Sequence, residues 1–93
     1  MITVHAEFHS HFREIAATAR DSFALDEPSV AEFAERISAK YGARMRAMLI
    51  DPETNELNER GTMFVDSKGR RISMEDTLED GETIAFMVGI AGG

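Results

Sequence analysis

The chain has 93 residues, which suits one domain with one core and leaves too little material to enclose a deep active-site cavity as well. Apolar residues make up 43% of it, which excludes a disordered segment, and the absence of cysteine excludes disulfides, thiolate catalysis and thiolate zinc sites. The net charge of −7 disfavours nucleic-acid binding, and because the sequence shows neither an apolar run of membrane-spanning length nor a signal-peptide pattern, a cytoplasmic protein is expected.

The first half of the chain begins with alternating residues. Residues 2–8 alternate between apolar and polar side chains, which predicts a half-buried strand. A short helical turn is predicted at residues 13–19, and a second strand at residues 21–26 alternates through Phe23 and Leu25. These two strands are expected to pair as a hairpin across a long connection.

A helix is predicted at about residues 30–41. Ser29, followed three residues later by Glu32, matches a capping box at the start of a helix. The apolar residues that follow recur at helical spacing and form one stripe, made of Val30, Phe33, Ala34, Ile37 and Tyr41. Gly42 is suited to end the helix, because glycine readily adopts the left-handed conformation found there.

The second half is predicted to contain mainly strands and turns. Alternation, either through Met45, Ala47 and Leu49 or through the opposite set, predicts a strand at residues 44–50. Further along are an acidic surface loop at 51–61, a strand at 62–66, a brief strand at 70–73, one helical turn at 75–78, a turn at Asp80-Gly81 and a last strand at 82–88. In the last strand Ile84, Phe86 and Val88 share one face, and Ala85 and Met87 share the other.

One helix against a mixed sheet predicts an α+β roll. The chain contains no internal repeat and no linker, so residues 1–93 are expected to form a single domain. The predicted core combines the helix stripe with Ile2, Val4, Phe8, Ile84 and Phe86. The patterns allow the first and last strands to lie side by side at the sheet centre, but they do not require it.

The chain ends in Gly89-Ile90-Ala91-Gly92-Gly93, a segment expected to form a flexible tail over residues 89–93. Terminal glycines are compatible with a frayed or truncated end. They are equally compatible with function, because a chain without side chains can thread a narrow channel. The carboxylate of Gly93 could then be activated as an acyl-adenylate without disturbing the fold, and the tail alone leaves both interpretations open.

The rest of the sequence offers no catalytic machinery. His5, His9 and His11 would point the same way only in an extended segment, so pairing with neighbouring carboxylates is preferred over a metal site. The acidic cluster near the last turn and the basic residues 68–71 are interpreted as solvated surface. There is no glycine-rich phosphate loop and no nucleophile elbow.

Four segments, in order and over nearly the whole chain, resemble the MoaD/ThiS family of sulfur carriers, and within it the small subunit of molybdopterin synthase. They are Phe12-Arg13-Glu14-Ile15-Ala16 after the first strand, the capped helix at 29–42, the turn Leu78-Glu79-Asp80-Gly81-Glu82, and Ile84-Ala85-Phe86 with the tail Ala91-Gly92-Gly93. The resemblance implies a β-grasp, ubiquitin-like fold of the α+β class, with the first and last strands as parallel neighbours.

The resemblance also implies that the chain is a non-catalytic carrier. A ubiquitin-activating-like enzyme would adenylate Gly93 with Mg-ATP, and a persulfide sulfurtransferase would supply the sulfur for a thiocarboxylate. The large subunit of molybdopterin synthase would then accept that sulfur to build molybdopterin. No cofactor bound to the carrier, no nucleic acid and no membrane are implied. Gly92 would enter the partner's channel with Gly93, and the expected partner contacts are Ala85, Met87, Ile90, Ala91 and, as a polar contact, Arg13.

Two segments depart from the family pattern at the surface that its partners use. Met87-Val88-Gly89 stands where Phe-Pro-Pro is common, and residues 65–69 form a longer turn than the usual Val-Asn-Gly. The pathway therefore stays open between molybdopterin and thiazole, cysteine or tungsten-cofactor synthesis. Two further functions also stay open, a ubiquitin-like modifier attached through Gly93 and a β-grasp binding module without chemistry.

Overall fold

The computed structural model describes residues 1–88 and arranges them as a four-stranded mixed sheet with three helices. The elements are β1 Ile2–Phe8, α1 Ser10–Ala16, β2 Arg20–Leu25, α2 Val30–Tyr41, α3 Ala43–Leu49, β3 Thr62–Val65 and β4 Thr83–Val88. The strand order is β2-β1-β4-β3, in which β1 and β4 run parallel and both other pairs run antiparallel. The predicted α+β class and β-grasp arrangement are confirmed, because the first and last strands are neighbours at the sheet centre.

None of the helices within residues 1–88 has the length and apolar character that crossing a membrane would require.

The two central strands bury one face, as their alternation predicts. Val4, Ala6 and Phe8 of β1 and Ile84 and Phe86 of β4 are all buried. The expected burial of Ile2 at the start of β1 is wrong, and Val88 at the end of β4 is also not buried.

Ile2 is only half-buried, because β4 pairs with β1 only from His5 onward. Val88 is 37% exposed, because β1 accompanies β4 only as far as Phe86. Both side chains lie on the predicted face of their strand, at a position where β1 and β4 are no longer paired.

The connection between β1 and β2 contains a helix rather than a single turn. α1 begins at Ser10 and ends at Ala16, earlier than the predicted turn at residues 13–19. Phe12 and Ala16, four residues apart, are its buried positions, so one face of the helix covers the end of the sheet. Ala17 then takes a left-handed conformation at φ 60°, which ends the helix.

The predicted helix at 30–41 is confirmed with the same boundaries. The Ser29 hydroxyl accepts a hydrogen bond from the Glu32 N–H at 3.1 Å, which is one half of the capping box. The Glu32 carboxylate does not close the box on Ser29, because it accepts the N–H of Asp26 at 2.6 Å instead. Gly42 ends α2 with φ at 94°.

The predicted strand at residues 44–50 is wrong, because this segment forms α3. Met45 and Leu49 are buried, whereas Ala47 between them is exposed. That pattern is the i, i+4 spacing of a helix, which a short segment with apolar residues at 45, 47 and 49 cannot distinguish from alternation. An ion pair between Arg46 and Glu35, 2.9 Å apart, joins α3 to α2.

The long segment between β3 and β4 contains less regular structure than predicted. The predicted strand at 62–66 is confirmed as β3, but the brief strand at 70–73 is reduced to one bridge between Val65 and Arg71. The predicted helical turn at 75–78 is wrong. A turn closed by the N–H of Asp76 donating to the carbonyl of Ser73 takes its place, because Thr77 is drawn into a bridge with Ser29 before α2.

One polar cluster fastens the edge strand β2 to the end of α2. The Tyr41 hydroxyl donates a hydrogen bond to the Asp21 carboxylate, and the Lys40 ammonium lies 2.6 Å from the same oxygen. Burial and this hydrogen bond raise the pKa of Tyr41 well above its ordinary value. Burial alone would raise the pKa of Asp21, but the bonds from Lys40 and Tyr41 outweigh it and lower that pKa.

Candidate functional site

β4 carries the chain to the tail that contains the predicted reactive end. At its carboxyl end the strand is held on both sides, since the His9 N–H donates to the Phe86 carbonyl at 3.0 Å and Val88 pairs with Thr62 of β3. The structure therefore fixes the base from which the tail departs. The predicted site residues of the tail itself lie outside the described residues: Ile90, Ala91, Gly92 and Gly93.

Phe86 anchors that base in the core. Its ring lies edge-on to the rings of Phe8, Phe12, Phe33 and Phe64, with centroids 5.3 to 5.8 Å apart. Such aromatic pairs contribute about 0.5–1.5 kcal/mol each beyond their buried area. Sliding β4 along its neighbours would break all four contacts at once, so the strand that leads to the tail has a defined position.

The opposite face of β4 forms an apolar patch on the sheet surface that no helix within residues 1–88 covers. Met87 lies directly across from Met63, and Ala85 lies across from Val65. We call Met63, Val65, Ala85 and Met87 the apolar patch. Met87 and Ala85 project away from the core as predicted, but both are half-buried rather than exposed because their cross-strand neighbours cover part of them.

Met63 and Val65 are functional candidates that the sequence alone did not indicate. The strand at 62–66 could be predicted from its apolar residues, but the alignment of β3 against β4 could not. Cross-strand neighbours depend on that alignment, and a slip of one residue would have placed Thr62 and Phe64 on this face instead. The only signal available in the sequence was the alternation within β3 itself.

Arg13, the predicted polar contact, lies on α1 and is exposed. α1 packs through Phe12 against Phe64 and Phe86, which occupy the helix-covered side of the sheet. Met87 is on the other side. The structure therefore does not bring Arg13 and Met87 together, and a shared interface remains a prediction.

The three histidines contact neighbouring side chains and do not converge on one point. His9 lies 2.9 Å from the Glu7 carboxylate, and His11 lies 3.5 Å from that of Glu14. Among residues 1–88 no group of three potential ligands is arranged to hold a metal ion. The predicted pairing with neighbouring carboxylates is confirmed for His9 and His11, whereas His5 contacts the Ser22 hydroxyl instead.

One serine and one histidine do meet on the open face. His5 Nδ1 and Ser22 Oγ are 2.7 Å apart, because His5 and Ser22 are paired residues of β1 and β2. A nucleophilic serine needs a base that is itself oriented by a third group, and the described residues provide no such partner for His5. We therefore interpret the bond as a cross-strand contact.

Asp66 organises the turn that departs from the family pattern. Its carboxylate accepts the N–H groups of Lys68 and Arg70 at 2.9 and 3.0 Å, and the Arg70 guanidinium lies 3.2 Å away. The backbone hydrogen bond from Arg70 is the largest of the effects that hold the pKa of this carboxyl below its ordinary value, and they outweigh the raising effect of burial. The longer turn is therefore internally braced.

One surface groove is lined mainly by polar residues. The groove, of about 590 Å³, lies at the end of the sheet where β4 begins, away from the tail. Besides Asp66, three more of its carboxylates accept backbone N–H groups: Asp76 from Ser73, Asp80 from Thr3, and Glu82 from Glu79. These side chains shape turns and are not paired for acid–base chemistry. What the described site can do is hold and present the tail.

No protein-family model and no curated protein matches the chain. Solved structures do match it over nearly its full length. The HVO 2177 protein of Haloferax volcanii is similar with a TM-score of 0.81 and 21% identity, covering 99% of this chain and 87% of the other. The small archaeal modifier protein 1 of Methanosarcina acetivorans is similar with a TM-score of 0.77 and 18% identity, covering 100% and 98%.

A third neighbour is a protein assigned as molybdopterin converting factor subunit 1 from Pyrococcus furiosus. Its TM-score is 0.76 at 17% identity, with 97% of this chain and 100% of the other covered. At these identities the likeness establishes the fold. The β-grasp, ubiquitin-like fold implied by the family resemblance is thereby confirmed.

Proposed function

We propose that this β-grasp chain is a cytoplasmic sulfur carrier whose working group is the carboxylate of Gly93. The observation that carries the proposal is the position of β4, which is held between two strands and anchored by Phe86 immediately before the glycine tail. A carrier needs this combination of a rigid body and an uncluttered end. The described residues present a binding face and no catalytic cluster, which fits a substrate of other enzymes.

In the proposed reaction, the Gly93 carboxylate attacks the α-phosphate of ATP on an adenylating partner, and pyrophosphate leaves. ATP and magnesium bind to that partner. The terminal sulfur of a persulfide on a sulfurtransferase then displaces AMP from the acyl carbon. A thiol cleaves the resulting sulfur–sulfur bond, which leaves a thiocarboxylate on the chain and a disulfide on the donor.

We further propose that the sulfur serves molybdopterin synthesis, with the large subunit of molybdopterin synthase as the acceptor partner. The four resembling segments and the fold shared with molybdopterin converting factor subunit 1 support this pathway. Thiazole, cysteine and tungsten-cofactor synthesis are the competing pathways. Reconstitution with the large subunit and a pterin precursor should yield molybdopterin, whereas a carrier of another pathway should leave the precursor unchanged.

The chemistry is tested by the mass of the intact protein. After incubation with ATP, a sulfur donor and the adenylating enzymes encoded in the same genome, replacement of one oxygen by sulfur should add about 16 Da to the chain ending in Gly93. A chain with one alanine after Gly93 should gain nothing, because the added residue moves the carboxylate by about 3.5 Å and a shift of about 1 Å already costs around a hundredfold in rate.

The controls separate chemistry from folding. Deletion of Gly93 should also abolish the mass gain, and both altered chains should unfold at the same temperature as the unaltered chain. If the extended chain gains the same mass, or the unaltered chain never does, the carrier proposal is wrong and a binding module without chemistry becomes the better interpretation.

A second candidate is a ubiquitin-like modifier joined through Gly93 to lysines of other proteins. The similarity in fold to a small archaeal modifier protein favours it. It shares the adenylation step, so adenylation cannot separate the two functions. Expression of a tagged chain in its own host, followed by mass spectrometry of lysines that carry a glycine remnant, should reveal conjugates for a modifier and none for a dedicated carrier.

A further inference from the structure

One arginine borders the apolar patch at the outer edge of the sheet. Arg71 forms an antiparallel bridge with Val65, so the two side chains lie on the same face. Arg71 also lines a small surface pocket together with Met63, and its side chain is exposed. The sequence suggested only a solvated basic spot at residues 68–71, and the bridge separates Arg71 from the rest of it.

Within the described residues, Arg71 is a cation without an ion-pair partner. Its neighbour Arg70 is held by Asp66 at 3.2 Å, so the two arginines have different environments. Most of the carboxylates that share a groove with Arg71 accept backbone N–H groups, as Asp76 and Asp80 illustrate, and Glu79 is the exception. On a chain of net charge −7, this leaves a positive group at the rim of the face that we assign to docking.

On its β1 side the patch is bordered by a carboxylate rather than by a cation. Ala85 lies beside Glu7 on β1, and Glu7 is paired with His9. A single row across the sheet runs from Arg71 through Val65 and Ala85 to Glu7, and it ends at Arg20 of β2. Arg71 borders the apolar patch directly, whereas Glu7 separates Arg20 from it. Because rim charges orient an approaching partner, this arrangement favours a partner with an apolar contact flanked by its own carboxylate on the β3 side.

We propose that Arg71 is a specificity-determining contact for the adenylating partner, pairing with a carboxylate beside the apolar surface that covers Met63 and Met87. The inference rests on the proposed function, because it takes activation at Gly93 as the event that docking serves. The adenylating partner is the occupant because β4 leads directly from the patch to the tail, and activation is the step that carrier and modifier functions share. Arg71 is the group that a carboxylate of the partner would complement, because no carboxylate of the described residues forms an ion pair with it.

The experiment measures ATP–pyrophosphate exchange with each adenylating enzyme of the source genome, purified and tested in turn. Arg71→Glu should raise the KM for the chain about tenfold at low salt, and screening should reduce the effect to about threefold or less at roughly 0.5 M salt. Arg71→Lys should stay within about twofold, since the charge is kept. Lys68→Glu is the matched control, because it makes the same charge change on an exposed residue of the same turn.

The outcomes separate failure of the contact from failure of the proposed function. If the unaltered chain supports no exchange with any of the enzymes, the proposed function fails. If it does support exchange but Arg71→Glu leaves KM unchanged, the contact at Arg71 is refuted. An equal increase in KM with Lys68→Glu would also refute the contact, because the overall charge would then account for the effect. Thermal unfolding of all three variants should coincide with that of the unaltered chain, so that a loss of folding cannot imitate the result.

Discussion

Met87 combines two properties that make it a sensitive probe of docking. It lies on the patch across from Met63, and it is two residues from the start of the tail. Met87→Asp should weaken binding to the adenylating enzyme about tenfold or more, because loss of a hot-spot contact near the centre of an interface costs about 2 kcal/mol or more. Calorimetric titration measures the change.

The matched control for Met87 is Ala24→Asp. Ala24 is exposed on the same sheet face, but it lies on the far edge strand β2. This variant introduces the same charge and should bind as the unaltered chain does. Equal weakening by both substitutions would show that repulsion by the added charge, and not the apolar patch, is responsible.

Asp66 provides a prediction in pH. Its pKa is held below the ordinary value of 3.8, so its contribution to stability is complete above that value and is lost as the pH falls through the lowered pKa. Asp66→Asn should therefore be less stable than the unaltered chain at pH 7, and the difference should shrink in acid. Urea unfolding at several pH values between 7 and 2 measures it.

Glu75→Gln serves as the comparison for Asp66, because Glu75 is exposed and the described structure gives its carboxylate no hydrogen bond. Its stability should follow that of the unaltered chain at every pH. A constant difference between Asp66→Asn and the unaltered chain across the whole range would mean that the bracing of the turn does not depend on the charge.

At the scale of the elements, α2 packs into the core mainly through Phe33. The ring is buried and lies edge-on to Phe23 and Phe86 at 5.8 Å. Phe33→Ala should lower the free energy of unfolding by about 3–5 kcal/mol, because the removed ring leaves a cavity. Phe33→Leu, which keeps most of the volume, should cost less than about 1.5 kcal/mol. Denaturant titration that gave equal losses would contradict cavity formation as the cause.

The elements also show which patterns determine structure locally. The helix at 30–41 was predictable, because capping, a long apolar stripe and a terminal glycine all agree. The segment at 44–50 was not, since seven residues with apolar positions at 45 and 49 fit either period. Packing decided the outcome, because only a helix turns both Met45 and Leu49 into the core while Ala47 stays outside.

At the scale of the whole molecule, the sequence could predict only those residues of the candidate site that lie within one strand. The sequence could place Ala85 and Met87 on one face of β4, but it could not supply Met63, Val65 or Arg71. Those residues reach the site through the pairing of distant segments, and pairing is set by the three-dimensional arrangement. The fold class followed from the order of elements and from resemblance rather than from periodicity alone.

The parallel pairing of β1 with β4 has a consequence for how the protein is made. The sheet centre joins the first strand of the chain to its last, so a growing chain on the ribosome cannot close its sheet until residues 83–88 have emerged. Contacts so distant in sequence also form late in folding. A chain interrupted before this strand would therefore lack both the platform and the glycine end. Under the proposed function, a chain that has not yet closed its sheet lacks the surface on which docking depends.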